Sequence, residues 1–163
     1  IGGKPESWIF LPSLPFPYSE IMAFGIWNLG GTVVLTDDES LPKRKDFECL
    51  NLISPEIDIR GELSKSNPDF TPKFRANLLD EAMIFLEKDN GIRLSHYNLL
   101  VNANGVQKSL DLQRGTSVKV NLSPNTTAWV VLQVILPLYT GTELTIENAN
   151  TTFSLPGELE KPD

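Results

Sequence analysis

The sequence predicts an α/β fold, with two βαβ units on a mostly parallel sheet flanked by helices and one β-hairpin between them. Three observations carry this reading. A short apolar run, "SWIFLP" (7–12), is followed by a helix-compatible stretch ending in Gly30-Gly31 and then by the β-branched run "TVVLTDD" (32–38). The same strand, helix and strand order returns from Ser117 to Asn148. Between the two units, "AMIFLEKDNGIRLSH" (82–96) sets two apolar runs on either side of Asp-Asn-Gly. Strands joined through a helix by short connections run parallel with a right-handed crossover, which places helices on the sheet faces.

The elements follow in order. Residues 7–12 are continuously apolar and suit a strand buried on both faces. In "YSEIMAFGIWNLGG" (18–31), Pro17 suits a first helical turn, Glu20 favours the positive end of the helix dipole, and Gly30-Gly31 supplies a left-handed stop. Residues 1–40 thus form the first βαβ unit, and residues 41–80 an irregular connector. Within the connector, "DFECLNLI" (46–53) reads as one or two helical turns and "EIDIRGE" (56–62) alternates like a strand. The Pro-punctuated "LSKSNPDFTPKFRANLLD" (63–80) reads as loop with room for one helical turn.

Residues 81–150 hold the hairpin, a helix and the second βαβ unit. Asn90 and Gly91 tolerate positive φ and close tight turns. Ser95 is placed to cap "HYNLLVNANGVQKSLDL", in which Leu99, Ala103, Val106 and Leu110 share a helical face. "SVKVNLSP" (117–124), "NTTAWVVLQVILPLYTG" (125–141) and "TELTIEN" (142–148) complete the repeat, with Asn125 or a Thr as helix cap. The tail, 151–163, has no pattern to hold it down and is expected to fray.

At 163 residues, 40% hydrophobic and 21% charged, the chain suits one domain with a real core and not a disordered or fibrous protein. A net charge of -7 excludes the basic footprint of a nucleic-acid binder, and Lys43-Arg44-Lys45 is followed at once by Asp46 and Glu48. With Cys49 alone and one His there is neither an intramolecular disulfide nor a metal-ligand cluster, so a reducing, cytoplasmic setting is expected and no metal. The longest apolar stretch, Ala128 to Tyr139, is too short to span a bilayer and reads as a buried helix. The N-x-S/T matches at Asn121, Asn125 and Asn150 come without a secretion signal and read as chance.

Across residues 2–147 the order of motifs resembles the AMP-forming ligases: acyl-CoA synthetases, peptide-synthetase adenylation domains and luciferases. "LSHYNLLVNA" (94–103) is similar to that family's "LSH-x-N" helix start, residues 2–38 to its early βαβ, and "LQRGTSVKVNLSP…WVVLQVILPLYTGTEL" (112–144) to the stretch that follows. The resemblance implies the amino-terminal subdomain of such a ligase, whose family uses ATP with magnesium and CoA.

The departure from the pattern is informative. Where the family carries the phosphate loop T-S-G-T-T-G-x-P-K-G, this sequence has Glu87-Lys88-Asp89-Asn90-Gly91. Such a loop cradles phosphates with backbone N–H groups and hydroxyls. Glu87 and Asp89 would instead meet a phosphate with like charge, at roughly 1 kcal/mol per pair at ~4 Å even in bulk water. The family's pocket-lining aromatic turn corresponds to "SPNTTAW" (123–129), with no His, and its adenine, ribose and catalytic-lysine motifs lie past residue 163.

The expectation is therefore a truncated, degenerate adenylate-forming domain, non-catalytic by itself, with no cofactor of its own and no catalytic residue. Residual binding would fall to Ser95, His96, Asn125, Thr126 and Trp129. Two alternatives stand beside it: a binding or scaffolding module using a groove near the strand carboxyl ends, with a protein or apolar ligand as partner, or a fragment of a larger ligase completed by its missing lobes. A lone His at a helix start is more often a structural hydrogen-bonder, Asp37 and Asp38 more often solvate a loop, and Trp27 and Trp129 more often fill a core. Cys49 reads as a buried small hydrophobe. No G-x-S-x-G elbow and no dinucleotide G-x-G-x-x-G is present.

Overall fold

The computed structural model describes residues 6–36, 38, 53–54, 56–72, 74–87, 91–124, 126–146 and 149–154. Asp37, Cys49, the 43–45 basic run and nearly all of the 46–53 turn therefore lie outside the described residues. The chain divides into two compact units, Ile1–His96 and Tyr97–Asp163.

In the first unit β1 (Trp8–Phe10), α1 (Tyr18–Asn28) and β2 (Thr32–Thr36) make the expected βαβ unit, with Trp8 opposite Thr32 and Phe10 opposite Val34 in parallel register. All of β2 is buried, as a strand covered on both faces requires. Pro17 stands at the cap of α1, one position ahead of its first turn. The turn into the helix is pinned by Ser19, whose hydroxyl accepts the Leu14 N–H at 2.9 Å and donates to the Leu14 carbonyl at 3.1 Å. At its other end the Gly31 N–H donates to the Ile26 carbonyl and the Gly30 N–H to the Trp27 carbonyl, both at 2.9 Å. This paired closure needs a left-handed residue, and Gly30 supplies it at φ +75°.

β3 (Glu81–Leu86) lies parallel to β2, and β4 (Gly91–Ser95) returns antiparallel to β3 as the expected hairpin. Its register runs from Glu81 opposite Ser95 to Leu86 opposite Gly91, so residues 87–90 alone join the strands. The sheet order is β1-β2-β3-β4. On one face Trp8 packs against buried Val34, Ile84 and Leu86.

The connector departs from expectation at "EIDIRGE". Instead of a strand it contains α2 (Ile59–Lys65). Asp58 decides the matter: its side chain accepts the Gly61 N–H at 2.9 Å, an N-cap that outweighs a two-residue alternation. Of the 63–80 segment, Leu63–Lys65 form the last turn of α2, while residues 66–72 and 74–80 carry no helix or strand, as expected of the loop.

In the second unit α3 (His96–Leu110), which starts in the first unit with His96, buries Leu99 and Ala103. Val106 packs on the cluster of Ala103, Leu112 and Leu136. Leu110, placed on the same face by spacing, is instead 49% exposed because it sits in the last position of the helix.

The repeat is present: β5 (Ser117–Asn121), a helical segment, and β6 (Glu143–Leu144), with β5 and β6 parallel. The helical segment is not uniform. It runs as α4 (Thr127–Trp129), a π-helical stretch (Val130–Ile135) and α5 (Leu136–Thr140). Pro137 has no N–H to give the carbonyl four residues back, and upstream of it the register widens, the Leu136 N–H donating to the Val131 carbonyl. Nor is it wholly buried: Leu138 is 71% exposed.

Two further findings amend the sequence reading. The tail does not simply fray, since β7 (Thr151–Ser154) pairs parallel with β5, from Val118 opposite Thr151 to Asn121 opposite Ser154. Two β-branched threonines and Phe153, which packs against the Ala103, Leu112 and Leu136 cluster, account for it. The α/β class holds, but the strands fall into two sheets, the second in the order β6-β5-β7, where the sequence had suggested one. Periodicity identifies strands and is silent on which of them pair.

Candidate functional site

A cleft of about 340 Å³ opens in the first unit. Its lining comes from Glu6 and Trp8, from the Gly30-Gly31-Thr32 turn, from Phe74, Ala76, Asn77, Asp80 and Glu81, and from His96. These are the residues just before or at the start of β1, β2 and β3 and just after β4. Parallel pairing brings the starts of the first three to one edge, and antiparallel β4 ends there. The cleft is thus at the amino ends of the parallel strands, whereas the sequence reading expected a groove at the carboxyl ends. That opposite edge runs into residues 37 and 88–90, which lie outside the described residues.

The floor is held by backbone. The Glu6 N–H donates to the Gly30 carbonyl at 2.7 Å and the Thr32 N–H to the Ser7 carbonyl at 2.9 Å. The Phe74 ring lies directly over Gly30; a Cβ there would sit 2.5 Å from it. Along one wall Asp80 holds its own turn, accepting the Asn77 N–H at 2.7 Å. Its carbonyl accepts the His96 N–H at 3.2 Å. Glu81 pairs with Arg93 at 3.3 Å, and the Arg93 guanidinium stands 4.9 Å over the Trp8 ring.

Among the described residues, His96 is the one sequence candidate that lines this cleft. Burial pushes its imidazole below the ordinary histidine value, and the neighbouring Asp80 carboxylate acts in the opposite sense. Its ring meets Trp27 edge to face at 5.8 Å, while the Trp27 indole N–H is taken by the Ala82 carbonyl at 2.8 Å. Trp27 is thus a structural residue.

The other candidates are placed as follows. Glu87 is exposed directly after β3, and Gly91 is the first residue of β4. Lys88, Asp89 and Asn90 lie outside the described residues, as does Asn125. Ser95 ends β4 opposite Glu81. Thr126, in the second unit, caps the helical segment, its hydroxyl accepting the Trp129 N–H at 3.2 Å. Trp129 is fully buried and its indole N–H has no partner among the described residues. Asp38 gives its N–H to the Thr36 hydroxyl at 3.0 Å. The Asn150 side chain accepts from both the N–H and the hydroxyl of Ser117, which gives that position a structural role.

Sequence reasoning missed Glu6, Trp8, Phe74, Asp80 and Glu81 as site residues. The signal that finds them is position: each of Glu6, Trp8, Asp80 and Glu81 lies at or within two residues of the start of a strand in a parallel sheet. Among the described residues no group of His, Cys, Asp and Glu could hold a metal ion, and no helix is long and apolar enough to cross a membrane.

No family model matches the sequence, and no curated protein matches it. Solved structures do. The chain is similar to a long-chain-fatty-acid-CoA ligase from Archaeoglobus fulgidus, with a TM-score of 0.68 at 15% identity over 88% of this chain and 35% of that one. It is similar to the adenylation domain of a keto acid-selecting peptide-synthetase module, with a TM-score of 0.65 at 13% identity over 93% of this chain and 32% of that one. It is also similar to the N-terminal domain of FACL13 from Mycobacterium tuberculosis, with a TM-score of 0.67 at 13% identity over 93% and 45%. The chain spans between 32% and 45% of the length of these structures. It has the fold of part of the AMP-forming acyl-CoA ligases and adenylation domains.

Proposed function

We propose that this chain is an adenylate-forming-ligase scaffold that does not activate a carboxylic acid by itself and is completed by the remainder of such a fold. The observation that carries the reading is the β3–β4 register. Because Leu86 and Gly91 face each other in the ladder, residues 87–90 are the whole connection where the resemblance puts a phosphate loop about ten residues long. Glu87, at its start, is exposed and carries the wrong charge for a triphosphate. These residues do not fit the phosphate group of ATP, and no reaction step is drawn through it.

Thermal unfolding with and without millimolar Mg-ATP tests this, because a ligand at about 100 times its Kd adds roughly 2.7 kcal/mol, a displacement of several degrees. The expected result is no displacement, and no pyrophosphate exchange with fatty or aromatic acids. A clear upward shift, or exchange above background, overturns the proposal.

A further inference from the structure

We propose that the cleft at the amino ends of β1, β2 and β3 binds a small organic ammonium ion, of the primary or quaternary amine class. The proposal goes beyond the ligase reading, since Glu81 and Leu86 stand at opposite ends of β3, about 17 Å apart at 3.3 Å per residue.

Two of its lining residues, Trp8 and Glu81, already hold a cation that does not itself line the cleft. The Arg93 guanidinium lies 4.9 Å over the Trp8 ring while pairing with Glu81 at 3.3 Å, an aromatic face and a carboxylate acting together on one positive group. The rest of the lining repeats those elements. Phe74 offers a second ring, seated on Gly30, and Glu6 and Asp80 offer further carboxylates. Among the described residues no Lys or Arg lines the cleft, and His96 is the only basic group there.

Size sets the class of ligand. At about 340 Å³ the cleft lies at the small end of ligand pockets, so it suits a compact cation and not a nucleotide or an acyl chain. Aromatic rings with carboxylates at the rim favour a weakly hydrated ammonium over a metal ion, which calls for converging oxygens.

The experiment uses the whole chain, choline as probe and 3,3-dimethylbutan-1-ol as its uncharged isostere, with the Trp8 indole N–H followed by ¹H–¹⁵N NMR. Choline is expected to shift that resonance saturably in the millimolar range, and the alcohol is not. Glu6→Gln and Phe74→Leu should each weaken choline binding about 3- to 10-fold. Glu6 is exposed, so its variant keeps the fold in any case and keeps the test sharp. Equal shifts from choline and the alcohol, no saturable shift up to about 50 mM choline, or unchanged affinity in both variants overturns the proposal. Loss of Mg-ATP silence elsewhere in the molecule would leave these readouts untouched, so the two proposals fail separately.

Discussion

Gly30→Ala is expected to be among the most damaging single-methyl additions to this chain. Two costs add. At φ +75° an alanine pays about 1 to 2 kcal/mol for its Cβ against the following carbonyl. That Cβ also falls 2.5 Å from the Phe74 ring, which must move off the turn, and overpacking of this kind costs roughly 1 to 3 kcal/mol. Against them stands about 0.4 to 1 kcal/mol gained from a less flexible unfolded chain. The net is a loss of about 1 to 4.5 kcal/mol, or roughly 2 to 18 °C in unfolding midpoint for a chain of this length. Urea titration followed by far-UV circular dichroism, with calorimetry in parallel, measures it. Gly25→Ala is the control: it lies mid-helix in α1 with no atom within 4 Å of the added Cβ, and it should stabilise by about 0.5 to 1 kcal/mol. In a Phe74→Ala background the cost of Gly30→Ala should fall to the backbone share, about 1 to 2 kcal/mol. The reasoning is refuted if Gly30→Ala is neutral, or if its cost is the same with and without the Phe74 ring.

Other expectations follow from the same geometry. Burial holds the His96 pKa below its unfolded value, so the unfolded chain binds the proton more readily; the His96 contribution is fully present above pH of about 6.5 and is lost as pH falls through the lower folded pKa, with the Asp80 carboxylate softening the loss. Because the chain has one His, a single imidazole NMR titration reads the value directly, and urea midpoints of wild type and His96→Gln should converge toward acid pH. Thr126→Ala should lower stability by about 1 kcal/mol through loss of the cap to the Trp129 N–H, and Thr126→Ser should restore most of it; equal losses in both variants would assign Thr126 some other role. Trp129→Ala should cost about 3 to 5 kcal/mol and Trp129→Phe much less, because the indole N–H that is lost had no partner among the described residues. Urea unfolding of the two variants side by side decides it.

Both βαβ units and the hairpin are legible in the chain because their cause is local: β-branched runs such as Val33-Val34-Leu35, and Pro and Gly at the joints; Gly91, read as part of the turn, is instead the first residue of β4. α2 was hidden because one capping carboxylate, Asp58, outweighs the alternation of Ile57 and Ile59 around it. β7 was hidden because a strand of four residues gains its stability from the central strand it joins, not from its own sequence. Of the site, His96 was visible as the only imidazole, while Glu6, Trp8, Phe74 and Asp80 come from separate segments that only the strand order brings together. Trp129, read both as a residual binding candidate and as more often a core residue, is fully buried.

The hairpin register has a practical corollary for protein engineering. With β3 and β4 locked from Glu81–Ser95 to Leu86–Gly91, the segment between them only has to close a gap, and doubling such a connection adds about 0.6 kcal/mol of closure entropy. A longer, glycine- and threonine-rich connection is therefore expected to be tolerated there at small cost in stability. The β3–β4 ladder is expected to stay in place while the length of its connection changes.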